Sequence, residues 1–104
     1  MESYSSKLRS AEADALFDAI LSLRSREECY RFFEDICTIA ELKSIAQRWD
    51  VACKLDDGVT YQEIAQQLSA STATISRVNR CLSYGAGGYR LLLDRKRENE
   101  EGRW

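Results

Sequence analysis

With 104 residues, 44% of them apolar, 31% charged and none proline, the chain has the composition of one compact domain, which excludes a disordered tail and a two-domain enzyme. The absence of histidine removes the Ser-His-Asp and Cys-His arrangements and the zinc and iron sites that depend on imidazole. With 15 basic and 17 acidic side chains the net charge is -2, which argues against a protein that coats nucleic acid indiscriminately but allows a local basic surface.

A chain of this size buries only ~60 to 70% of the surface its unfolded form exposes, so the core is thin and self-association is a natural source of stability. The spacings of Cys29, Cys37, Cys53 and Cys81 match neither a CxxC redox pair nor a zinc ribbon, and the four are expected as reduced thiols with no metal site. No stretch has signal-peptide character or approaches the ~20 apolar residues of a membrane span, so a cytoplasmic protein without a membrane partner is expected. By segment, only residues 60–90 are net positive, through Arg77, Arg80 and Arg90 against Glu63.

Apolar spacing follows the helix template throughout and predicts an all-α fold of about six helices. Between Ala13 and Leu23 the positions Ala13, Leu16, Phe17, Ile20, Leu21 and Leu23 make one wide face, expected to be buried. Ser25 and Glu28 form the pattern of a capping box and open a second helix carrying Tyr30, Phe33, Ile36 and Cys37. Thr38 and Glu41 repeat it before the longest helix, whose stripe is Ile39, Leu42, Ile45, Ala46, Trp49, Ala52 and Cys53, and which ends at Gly58. Thr60 and Glu63 open a short helix with Ile64, Ala65 and Leu68. Ser69-Ala70-Ser71 interrupts, and helical spacing resumes from Thr72 to Leu82. Tyr84-Gly85-Ala86-Gly87-Gly88 is the expected hinge, and a last helix with Tyr89, Leu92 and Leu93 on one face follows it. A single domain over 1–104 is expected, with frayed ends at 1–9 and 98–104.

Residues 61–80 carry the internal pattern of a helix-turn-helix. Ile64, Leu68, Ala70, Ile75 and Val78 supply its packing positions, and Ala65 is small enough for two helices to cross closely. Ser69 takes the turn position that commonly holds glycine, at a cost of about 1 kcal/mol. The outward positions of the second helix are then Ser71, Thr72, Ala73, Ser76, Arg77 and Arg80. Small hydroxyls can meet base edges in a major groove, an alanine methyl can touch thymine, and arginines can reach guanine or phosphate. Thr60, Gln62, Gln66 and Gln67 on the first helix can hold the DNA backbone through neutral hydrogen bonds.

The run Glu63-Ile64-Ala65 to Ser69, then Thr72-Ala73-Thr74-Ile75-Ser76-Arg77, preceded by Ile39-Ala40-Glu41-Leu42 and Arg48, resembles the Trp repressor superfamily. It is most similar to the short Trp repressor-related bacterial proteins of the YerC/YecD type, over about residues 10–95. The resemblance implies an intertwined, all-α homodimer whose two helix-turn-helix units read successive major grooves of double-stranded DNA. It also implies that Arg48, Thr74 and Arg77 correspond to the residues that grip the corepressor tryptophan. This chain departs from the family by Val78 in place of a glycine and Cys81 in place of a serine. A branched Val78 is expected to fill part of that pocket, so no cofactor is required, and tryptophan or another small corepressor is the lesser alternative.

The expected function is that of a sequence-specific DNA-binding transcriptional regulator, a repressor, acting as a homodimer. The alternative is a helical protein-interaction adaptor that does not read DNA sequence, motivated by the acidic total and by Phe17, Phe32, Phe33 and Trp49. No enzyme is expected. Glu27, Glu28, Glu34 and Asp35 are adjacent acids on a helix that point in different directions, and Asp56 and Asp57 mark a helix terminus.

Overall fold

The structure, a computed structural model, describes residues 4–101. These form six α-helices: α1 (Ala11–Leu21), α2 (Arg26–Ile36), α3 (Ile39–Asp56), α4 (Tyr61–Leu68), α5 (Thr72–Tyr84) and α6 (Gly88–Glu101). After Thr38 the chain divides into two compact units, one holding α1 and α2 and the other α3 to α6. No helix among the described residues is long and apolar enough to cross a membrane.

In the first unit, Ser10 is extended and its hydroxyl oxygen accepts the Ala13 N–H at 3.0 Å, which starts α1 two residues before the apolar stripe begins. Glu12 and Asp14 in the first turn favour the positive end of the helix dipole. The Ser22 N–H and hydroxyl both donate to Ala19 O and close the helix, so Leu23 lies outside it. Ser25 caps α2 as expected, accepting the Glu28 N–H at 3.1 Å. The Glu28 carboxylate, however, accepts the Arg24 N–H at 2.8 Å, one residue ahead of the cap. Neither helix buries a residue: Phe17 is 57% and Leu21 80% exposed. The face expected to be buried around the first helix is therefore largely exposed, with Ala13, Ile20 and Leu23 only half-buried. Periodicity records that a face is apolar, not which molecule covers it.

The second unit is built around α3, which packs on α4, α5 and α6, while α5 also packs on α4 and α6. Its core is Val51, Ala52, Ile64, Ala70, Ile75, Val78 and Leu93. Only the C-terminal half of α3 enters this core; Ile39 and Ile45, part of the expected stripe, are exposed, and Val51, which the stripe omits, is buried. Gly58, at φ +84°, ends α3 in a Schellman motif, donating to Leu55 O at 3.0 Å while the Val59 N–H donates to Lys54 O at 3.0 Å. Thr60 and Glu63 form a complete capping box on α4. Ser69 then adopts the left-handed conformation at φ 53°, and the Gln47 side chain donates to Leu68 O at 3.2 Å, satisfying a carbonyl of the last turn.

Helix α5 runs to Tyr84, two residues beyond the expected end. It stops where the Gly85 N–H donates to Cys81 O at 2.9 Å and where a Cβ on Gly85 would lie 2.5 Å from that same oxygen. Helix α6 is tied down along its length. Tyr89 stacks on Trp49 with ring centroids 6.5 Å apart at 16°, Leu93 enters the core, and Asp56 accepts from Arg90 at 3.0 Å and from Arg97. Residues 98–101, within the end expected to fray, form the last turn of α6, where Lys96 pairs with Glu100 at 2.9 Å. Of the other residues expected to fray, 4–9 lie in no helix, and 1–3 and 102–104 lie outside the described residues.

Asp56 is 15% exposed, and its hydrogen bond from Arg90 holds its carboxyl below the ordinary aspartate value. A depressed native pKa contributes stability above the unfolded value, about 3.9, that is lost as pH falls through the native one. At pH 7 we expect Asp56→Asn to lower the melting temperature by roughly 5 °C, the effect of about 1 kcal/mol in a domain of this size, modest because both arginines are half exposed. The gap between the two proteins should close in thermal melts taken below pH 3.9, as the wild-type carboxylate takes up its proton.

Candidate nucleic-acid interface

Helices α4 and α5 meet through the positions that the helix-turn-helix register assigns to packing. Ile64, Ala70, Ile75 and Val78 are buried, and Ala65 and Leu68 are half-buried against them. With those faces turned inward, Thr72, Ala73, Ser76, Arg77 and Arg80 are exposed on α5, and Gln62 and Gln66 on α4. The side chains near the start of α5 are small, and the arginines follow one and two turns later.

Electrostatics isolates this face. Helix α5 contains no acidic residue. Among the described residues Arg77 and Arg80 form no ion pair, whereas Arg90 is held by Asp56 and Asp94, both at 3.0 Å, and Lys54, Lys96 and Arg97 are paired as well. The sequence groups Arg90 with the two reading-helix arginines. The structure gives its charge to α3 and α6 instead, because Asp94 lies one turn along α6 and Asp56 ends α3 beside it.

Two hydroxyls assigned to DNA contact are occupied within the fold. The Thr60 hydroxyl donates to the Glu63 carboxylate at 3.1 Å and accepts the Glu63 N–H at 3.2 Å. The Ser71 hydroxyl donates to Thr74 Oγ1 at 3.0 Å and accepts the Thr74 N–H at 3.1 Å. Both act as caps. The Glu63 carboxylate also occupies the N-terminus of α4, where it opposes the approach of a phosphate. The first turn of α5 carries no such charge.

The residues that the resemblance assigns to a corepressor are only partly brought together. An open, mainly apolar cleft of about 610 Å³ is lined by Ile45, Arg48 and Trp49 of α3, Cys81 of α5, the 85–88 turn, and Tyr89 and Leu92 of α6. Arg48 lines it; Thr74 and Arg77 do not. Burial pushes the Tyr89 phenol up, against the pull of the Arg48 and Arg77 charges. Val78, expected to fill part of the corepressor pocket, does not line this cleft and is buried in the core with Val51 and Ile64. Sequence reasoning missed the stacked Trp49 and Tyr89, which lie forty residues apart and show no shared signal. It also missed Tyr84, which the longer α5 carries onto the exposed face at the spacing of Arg77 and Arg80.

Residues 11–97 match the family model described as Trp repressor protein. The chain is 57% identical over 94 residues to "Uncharacterized protein YerC" of Bacillus subtilis (strain 168), covering 90% of each. Among solved structures it is similar to a protein described as "a putative Trp repressor from Staphylococcus aureus", with a TM-score of 0.84 and 54% identity over 88% of this chain and 91% of that one. It is also similar to "a TrpR like protein from Eubacterium eligens", with a TM-score of 0.82 and 52% identity over 86% and 92%.

Proposed function

Because this chain belongs to the Trp repressor family, we propose that it is a sequence-specific DNA-binding transcriptional regulator, a repressor acting in the cytoplasm as a homodimer. The family consists of DNA-binding regulators and not of enzymes. The observation that carries the reading is the outer face of α5, where Thr72, Ala73 and Ser76 leave room for a groove floor and Arg77 and Arg80 form no ion pair among the described residues. Gln62 and Gln66 hold the backbone, while Thr60 and Ser71 cap the two helices. The reading includes no required cofactor, with tryptophan or another small corepressor as the lesser alternative.

The dimer is supported by what the single chain leaves uncovered. Leu16, Phe17 and Leu21 on α1, Tyr30 and Ile36 on α2, and Ile39 and Ile45 on α3 are exposed. A second copy of the same chain offers a matching apolar surface, and a thin core gains most from covering it. Sedimentation equilibrium at micromolar concentration should return twice the chain mass. A stable monomer that binds a hydrophobic dye would favour the adaptor reading, in which those residues dock a different protein.

A further inference from the structure

We infer that Tyr84 is a DNA-backbone contact, its phenol hydroxyl donating to a phosphate at the rim of the groove that the start of α5 enters. The inference rests on the reading of α5 as the recognition helix. Ala73, Arg77, Arg80 and Tyr84 follow one another at intervals of four, three and four residues, which places them along a single face of the helix. Tyr84 is 87% exposed, more than any other large apolar side chain among the described residues, and it does not line the cleft.

Length decides what it can touch. Eleven residues separate Ala73 from Tyr84, about 16 Å along the axis, whereas the major groove is about 12 Å wide. With the small residues at the start of α5 over the base edges, Tyr84 lies beyond the groove floor, where the phosphates run. Its place is also fixed: the Gly85 N–H closes the helix on Cys81 O, and the close approach of Gly85 to that oxygen leaves no room for a Cβ, so Tyr84 stays in the last helical position. The absence of any acid on α5, and two arginines on the same face without an ion pair among the described residues, fit a polyanion.

A neutral donor and a cation leave different signatures. A tyrosine hydroxyl on a phosphate adds affinity on any sequence and releases no counterion, so its loss weakens all duplexes equally and leaves the salt slope alone. Fluorescence anisotropy should show Tyr84→Ala binding both a selected duplex and its scrambled counterpart about tenfold more weakly, which corresponds to about 1.4 kcal/mol. The dependence of log K on log salt, the melting temperature and the sedimentation mass should not change. Tyr84→Phe should lose most of the same affinity, since the hydroxyl is the donor. In contrast, Arg80→Ala should lower the salt slope if Arg80 meets a phosphate. If Arg80→Ala weakens binding while Tyr84→Ala does not, or if Tyr84→Phe binds as the wild type does, the inference fails and the recognition helix stands. If the wild type binds no duplex at all, both fail.

Discussion

Alanine at both Arg77 and Arg80 is expected to lower affinity for the preferred duplex by about a hundredfold or more, with helical content and sedimentation mass unchanged. Each side chain supplies either a bidentate guanine pair, worth about 1 to 3 kcal/mol, or a phosphate contact. Neither arginine is tied to a carboxylate among the described residues, so the fold loses no ion pair when they go. Titrations at several salt concentrations separate the two roles. A guanine contact gives a loss that is larger on the preferred sequence than on scrambled DNA. A phosphate contact gives a uniform loss and reduces the salt slope by about 1 for each arginine. Unchanged affinity in the double variant would remove α5 as the reading surface.

The second large effect concerns the core. Ile75 is fully buried where α5 meets the rest of the second unit, next in sequence to the exposed Ser76. Ile75→Ala removes packed methyl groups and leaves a cavity that a core this small cannot refill, at a cost of about 2 to 5 kcal/mol. Set against a total stability of about 5 to 15 kcal/mol, such a loss takes much of the margin. Thermal melts should show a fall of about 10 °C or more, and urea unfolding a lower midpoint at the same slope. Ser76→Ala, one position along but facing solvent, should melt as the wild type does. Equal behaviour of the two variants would contradict the burial of Ile75 in the core.

The parts of the fold that were legible in the sequence are those encoded by neighbours along the chain. The box at Thr60 and Glu63, the glycine that ends α3, and the inward positions of α4 and α5 all follow from spacings of three and four residues. Ser10 was missed because a cap lies outside the apolar pattern it starts. Val51 escaped because the stripe of α3 shifts round the helix once α4, α5 and α6 all pack on it. The exposure of Phe17 and Leu21 could not be read at all, since an apolar face looks the same whether its cover lies in the chain or in another molecule.

Legibility of the candidate site divides in the same way. The outward set on α5 follows from helical period alone, which is why Ala73, Ser76, Arg77 and Arg80 lie on the exposed face. The loss of Arg90 from that patch depends on Asp56, thirty-four residues earlier, and the assembly of the cleft depends on Trp49 meeting Tyr89 across forty. The burial of Val78 with Val51 and Ile64 likewise joins residues distant in the sequence, which the identity of an aligned residue does not specify.

The most direct test is selection of bound sequences from a random duplex pool, with the salt dependence of binding to the winner and to scrambled DNA measured with and without tryptophan. A dimeric reader enriches a palindrome whose half-sites lie about one helical turn apart, and binds it about a thousandfold or more tighter than scrambled DNA at physiological salt. On the proposed reading, in which no cofactor takes part, the tryptophan arm should leave that affinity unchanged. Absence of enrichment, with weak binding that disappears as salt rises, would contradict the recognition helix and favour the adaptor.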